Sequence, residues 1–159
     1  MRDGPGHRPA RALVAGLVLA VLAAAAGGCG RTYEIEGFRL GMDLGDVERR
    51  CSEAGFTVEA GLEVEGIAAY RVYDKDPSKA ADARVLFKLG LAGGKLIGIR
   101  VIRAKPDEES ITALEEKYGD PNEDSSGLYY TWELKDATYL AQKDGTTVEV
   151  AYNEYVGRY

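Results

Sequence analysis

Residues 83–103 read ARVLFKLGLAGGKLIGIRVIR. Val85, Phe87 and Leu89 alternate with Arg84, Leu86 and Lys88, and Ile97, Ile99 and Val101 alternate with Gly98, Arg100 and Ile102. A period of two belongs to a strand with one face on a core. Ala92-Gly93-Gly94 between the runs suits a hairpin, since glycine takes the positive φ of tight turns without steric cost. The stretch predicts an antiparallel pair with an apolar face towards a core and a basic face away from it.

On either side of this pair the period changes to that of a helix. In MDLGDVERRCSEAGF (42–56), Asp43 is an N-cap residue, and Asp46 holds the capping-box position three residues on. Met42 and Val47 have the spacing of a hydrophobic staple, and Asp46 and Arg50 that of an i,i+4 ion pair. Gly55 supplies a left-handed stop, and Phe56 folds back on Cys51. Val47, Cys51 and Ala54 form the buried stripe, which makes Cys51 a small core residue. In KPDEESITALEEKYGDP (105–121), acids crowd the start and Ile111, Leu114 and Tyr118 share a face. Lys117, Gly119 and Pro121 end the second helix, placed at 107–118.

Further strands are expected at 67–74, 128–135, 137–142 and 146–153, the last two joined by the hairpin signal Asp144-Gly145. A short segment near Phe38 and Leu40 leads into the first helix, and 74–82 and 120–127 are polar loops. The expected fold is α+β: an antiparallel sheet with two helices packed on one face, in the order helix, strands, helix, strands. A weak internal repeat aligns Asp43 with Asp107, Val47 with Ile111 and Gly55 with Gly119.

The N-terminus carries a different message. Arg2, Arg8 and Arg11 precede fifteen residues, ALVAGLVLAVLAAAA (12–26), without a charge. A span needs about 20 apolar residues, whereas the apolar region of a secretory signal needs roughly 7–15. Cys29, after Ala26, Gly27 and Gly28, could be half of a disulfide, a packed thiol or a site of attachment. The stretch resembles a bacterial lipoprotein signal, which implies cleavage between Gly28 and Cys29 and covalent lipid on Cys29. The divisions expected are a signal over 1–28, a lipidated linker over 29–32 and a single α+β domain over 33–159. The resemblance implies a membrane anchor through the Cys29 lipid in the cell envelope. Gly30, standing where an inner-membrane retention signal has Asp, points to the periplasmic face of the outer membrane. With three acyl chains the attachment is effectively permanent, since each buried methylene contributes about 0.8 kcal/mol.

Composition narrows the chemistry. Beyond residue 28 the chain carries 17 Lys and Arg against 25 Asp and Glu, a balance of −8, so nucleic acid is not an expected partner. With Cys29 lipidated, Cys51 has no partner for a disulfide. The single histidine is His7. Beyond the signal there is none, which removes histidine-based general-base, nucleophile-pair and metal chemistry. Asp120, Asn122 and Asp124 alternate like the start of a calcium loop, but Ser125 stands where Gly is needed and Thr131 where Glu is needed. No metal and no cofactor are expected.

The candidate binding surface is the polar face of the strands, with Arg71, Arg84, Lys88, Arg100, Tyr129 and Glu133, beside Thr131 and Glu149. Arginine forks suit carboxylates, and tyrosine offers amphipathic area. The competing reading is a solvated face of cross-strand ion pairs involving Glu133 and Glu149. Leu86, Leu96 and Ile102 fall on the same side, to be covered by a partner or by the terminal segment.

Two short matches resemble small bacterial envelope lipoproteins of the BamE (SmpA/OmlA) type and the wider fold of β-lactamase-inhibitor proteins. One is GFRLGMDLGDVERRC, through Gly41, Met42, Asp43 and Val47; the other is EEKYGDP, through Gly119 and Pro121. The resemblance implies helices on an antiparallel sheet and a non-enzymatic protein that binds another envelope protein. A carbohydrate- or peptidoglycan-binding lipoprotein is the alternative, and a carboxylate-based hydrolase the third reading.

Overall fold

The chain enters through a short hairpin, β1 (Glu34–Ile35) and β2 (Phe38–Arg39), and turns into helix α1 (Leu44–Glu53). Strands β3 (Thr57–Val64), β4 (Ile67–Tyr73), β5 (Val85–Ala92) and β6 (Lys95–Ile102) follow. Helix α2 (Glu108–Tyr118) precedes β7 (Asn122–Glu123), β8 (Tyr129–Glu133), β9 (Ala137–Gln142) and β10 (Thr147–Tyr152), and a 3-10 turn (Asn153–Tyr155) leads to the last residues. This is a computed structural model, and it describes residues 32–74, 76 and 84–159. Eight strands form one sheet in the order β3-β4-β5-β6-β10-β9-β8-β7, every neighbouring pair antiparallel. Each helix is thus followed by a four-strand run, and the two runs meet through their last strands, β6 and β10.

Both helices lie on one face. Val47 and Cys51 from α1 and Ile111 from α2 share one buried cluster with Phe87, Leu89, Ile99, Val101, Trp132, Tyr139, Val148 and Val150. The β1–β2 hairpin adds Phe38, whose ring meets Phe87 edge-on at 5.1 Å. Helix α2 is tied to the sheet by Trp132, whose Nε1 donates to the Gly119 carbonyl at 2.8 Å. The Tyr118 hydroxyl also donates to that of Tyr139 at 3.3 Å.

Local signals set the helix ends, with two changes from expectation. Gly55 has φ +75°, its amide donates to Ser52, and the Phe56 amide donates to Cys51 at 2.8 Å, the paired bonds of a Schellman stop. Asp107 caps α2 through Ser110, with the hydroxyl at 2.6 Å and the amide at 3.4 Å. Asp43 stands at the N-cap of α1, but its carboxylate makes no cap bond and pairs with Lys95 at 2.8 Å. The expected Asp46–Arg50 pair is also replaced: Asp46 binds Arg49 at 2.8 Å, and Arg50 lies 6.0 Å from the centre of the Phe38 ring. An exposed pair contributes little, so a cation lying on an aromatic face competes with it readily.

A bulge corrects the expected core. Between Gly90 and Leu91 the β5–β6 register slips, so Leu91 faces Leu96. One extra residue sends later side chains to the other face. Leu96 is therefore fully buried in the helix-side cluster, not on the outer face, while Ile97 is buried outside that cluster.

Cys51 has no exposed surface, and burial pushes its thiol up to about 11 from an ordinary value of 9.0. Native protein at pH 8 is expected to resist iodoacetamide at Cys51 and to react fully once unfolded; rapid native alkylation there would contradict the packing. The proton is retained in the folded state, so this residue's contribution to stability is complete below about pH 9 and falls as pH rises towards 11.

Candidate functional site

The helices leave the opposite face of the sheet uncovered, and cross-strand register organises its charges. Glu59 on β3 faces Arg71 on β4, Arg71 faces Lys88 on β5, Lys88 faces Arg100 on β6, and Arg100 faces Glu149 on β10. Directly opposed residues have Cβ atoms about 4.5–5.5 Å apart, and like charges so placed repel. Three cations in one row are therefore held together against their own field. Among the described residues one of the three is in an ion pair: Arg100 Nε donates to Glu149 Oε2 at 2.7 Å. Among the described residues, no ion pair or hydrogen bond engages the Arg71 or Lys88 side chain.

The next row is made of small residues. Ala69 faces Gly90, Gly90 faces Gly98, and Gly98 faces Ala151. This leaves a trough beside the cationic row, and Tyr159 lies in it. A Cβ on Gly90 would stand 2.6 Å from the Tyr159 Cγ, and one on Gly98 would overlap the ring at Cε1 and Cζ. The ring thus rests on bare backbone. Its hydroxyl donates to Glu149 Oε1 at 3.0 Å, and the Arg100 guanidinium lies 5.7 Å from the ring centre. Glu149 is the one buried charged side chain among the described residues, 5% exposed. Its two oxygens are taken by one guanidinium and one phenol, which offsets the penalty of burying a carboxylate.

The approach of the tail is fixed by Gly157 at φ +72° and by Arg158, whose Nη2 meets Glu65 Oε2 at 2.6 Å. Burial and the neighbouring Glu149 carboxylate push the Tyr159 phenol well above its ordinary value of 10.0. Burial opposes charge on Arg100, yet Glu149 holds its pKa above the ordinary arginine value. A raised phenol pKa means that the stabilisation from docking Tyr159 is complete below about pH 10 and is lost as pH rises through the folded value. In a 295 nm absorbance titration, Tyr159→Phe is expected to remove one late-ionising phenol. Loss of an early-ionising phenol would contradict the docking.

Only half of the trough is filled. Between Tyr159 and the β3 edge an open cavity of about 270 Å³ remains, lined by Gly61, Leu62, Val64, Ile67, Ala69 and Arg71 together with the tail. Leu62 and Val64 are 83% and 61% exposed. A second, wider depression of about 440 Å³ lies at the other end of β5 and β6, with Arg84, Leu86 and Arg103 in its lining. There Arg103 is bound by Glu36 at 2.7 Å and Asp107 at 2.9 Å.

The predicted surface residues separate. Arg71, Lys88 and Arg100 come together in one row. Arg84 does not join them: it precedes β5 and binds Asp74, through its amide at 3.1 Å and its guanidinium at 3.5 Å. Tyr129 and Glu133 share the face, but they lie on β8, with β9 and β10 between them and the cations. Gly90, Gly98 and the docked Tyr159 complete the site. One glycine in each of two adjacent strands was the signal available in the sequence, because glycine inside a strand marks close approach of another group. Gly28 and Cys29 lie outside the described residues.

Other shifted groups do not converge on this face. The Tyr139 phenol is raised by burial and by Tyr118, under α2. Asp124 is lowered by the Ser126 hydroxyl and by the amides of Tyr129, Ser126 and Leu128. Its carboxylate thus serves its own loop, at 3.1 Å from the Leu128 amide and 3.0 Å from that of Tyr129. Among the described residues no cluster of three or more His, Cys, Asp or Glu side chains is placed to hold a metal. No described helix is long and apolar enough to cross a membrane. No protein-family model matches the chain, and no curated protein or solved structure matches it.

Proposed function

We propose that the chain is a lipid-anchored protein of the cell envelope that acts by binding another protein on the open face of its sheet, without catalysis. The observation that carries this reading is the row Arg71-Lys88-Arg100, adjacent to the apolar trough and free of covering helices. Unneutralised cations beside exposed Leu62 and Val64 make a surface of the kind that recognises a partner by charge and apolar contact. The lack of histidine beyond residue 28 supports a binding role over hydrolysis. The tether is the lipid on Cys29, at the periplasmic face of the outer membrane; the apolar run 12–26 and the Gly27-Gly28-Cys29 junction support it. The likeness to BamE-type lipoproteins at Gly41–Val47 supports the same role.

Photo-crosslinking amino acids placed at Lys88 and Thr131, and on the helix side at Arg49 and Glu116, test the face. Crosslinks to an envelope protein are expected from the first pair alone. Crosslinks from the helix side alone would overturn the assignment. Incorporation of labelled fatty acid, lost in Cys29→Ser, tests the tether; retention of label in that variant would overturn it.

A further inference from the structure

We infer that the open half of the trough receives an extended partner segment carrying a carboxylate next to an aliphatic or aromatic side chain. This rests on the protein-binding reading and names the chemistry of the partner. The chain itself demonstrates half of the recognition. Tyr159 shows that the small-residue floor takes a side chain directly against backbone, with a charged residue, Arg100, above it. Beyond Tyr159 the same floor continues over Ala69 and Gly61 to a wall made by Leu62, Val64 and Ile67, and nothing described fills it. The remaining space, about 270 Å³, is suited to a side chain and not to a folded domain.

Charge fixes the second element. Arg71 lines the cavity, and Lys88 stands directly opposite it on the next strand. Neither is neutralised as Arg100 is by Glu149. The nearest carboxylate in the row, Glu59, accepts from the Tyr73 hydroxyl at 2.9 Å. An incoming carboxylate at this point relieves the repulsion between two adjacent cations, and an incoming cation adds to it. The occupant is a partner segment and not a second copy of β3. In an antiparallel self-pairing centred on Gly61, Glu59 of each copy would face Glu63 of the other. The bulge between Ala60 and Glu63 also interrupts the edge that such pairing needs.

Two blocked eight-residue peptides serve as probes, one alternating aspartate with valine and the other lysine with valine, titrated into the isotope-labelled full chain in detergent and followed by amide shifts. The acidic peptide is expected to shift amides at Gly61–Arg71, Lys88 and Tyr159, and the basic peptide to shift none. Arg71→Glu combined with Lys88→Glu is expected to weaken the acidic peptide at least tenfold. Arg71→Gln with Lys88→Gln, which removes the charges without reversing them, should fall between. Equal binding of the two peptides, shifts confined to other surfaces, or no shift at millimolar peptide would overturn the inference. If crosslinks at Thr131 persist undiminished in the doubly reversed variant, the binding face stands and this assignment of its partner falls.

Discussion

Gly145→Ala is expected to destabilise the domain by about 2–5 kcal/mol. Two effects add. Gly145 sits at φ +71° in the β9–β10 turn, a conformation that an L side chain adopts at roughly 1–2 kcal/mol. A Cβ there would also overlap the Asp107 carbonyl oxygen and stand 2.6 Å from its carbon, and overpacking against backbone costs about 1–3 kcal/mol. Asp107 cannot retreat freely. It caps α2 through Ser110, its amide donates to the Asp144 carbonyl at 2.9 Å, and its carboxylate binds Arg103 at 2.9 Å. The change should lower the urea midpoint at an unchanged m-value and speed hydrogen exchange at the first-turn amides of α2. An unaltered midpoint would mean that turn and helix are not in register contact.

Gly98→Val is the second large effect, and it bears on the binding face. The new side chain occupies the space of the Tyr159 ring, so the tail must leave the trough. Losing the burial of one aromatic ring removes about 1.5–3 kcal/mol, offset in part by the strand preference of valine, on the order of 1 kcal/mol. The expected net loss is about 0.5–2 kcal/mol, with far-UV circular dichroism preserved. A cycle with Tyr159→Ala separates the two terms: once the ring is gone, Gly98→Val should stabilise by about 1 kcal/mol, the strand preference alone. Additive losses would show that Tyr159 and Gly98 do not meet in solution. In the single variant the late-ionising phenol of Tyr159 should move towards the ordinary tyrosine value.

Legibility followed the range of the interaction. The stop of α1 needs six consecutive residues, Cys51 to Phe56, and Gly55-Phe56 announced it. The cap of α2 at Asp107 and the hairpin at Asp144-Gly145 were equally local. Asp43 is the counter-example: its capping preference was plain, but Lys95, distant in sequence, took the carboxylate. Strand β3 is not among the expected strands, although Val58, Ala60, Leu62 and Val64 alternate with Glu59, Gly61 and Glu63; most of its residues are exposed, so that period marks no buried face. The face of Leu96 differs from expectation because a bulge is set by pairing between strands and is not marked in the residues of either strand. On the open face, parity alone placed Arg71, Lys88 and Arg100 on one side, and it wrongly enrolled Arg84, which lies just before its strand begins.

The sequence by itself determined an α+β chain with an antiparallel sheet, two capped helices and a basic side to its strands. Those features depend on spacing within a few residues, and backbone sterics and side-chain period translate spacing directly into local geometry. Register belongs to the tertiary structure. Only pairing between strands could set Arg71 opposite Lys88, align Gly90 with Gly98, and bring Tyr159 down on both. Each of these joins residues far apart in the chain, and which residues meet is decided by the packing of the whole sheet against its helices.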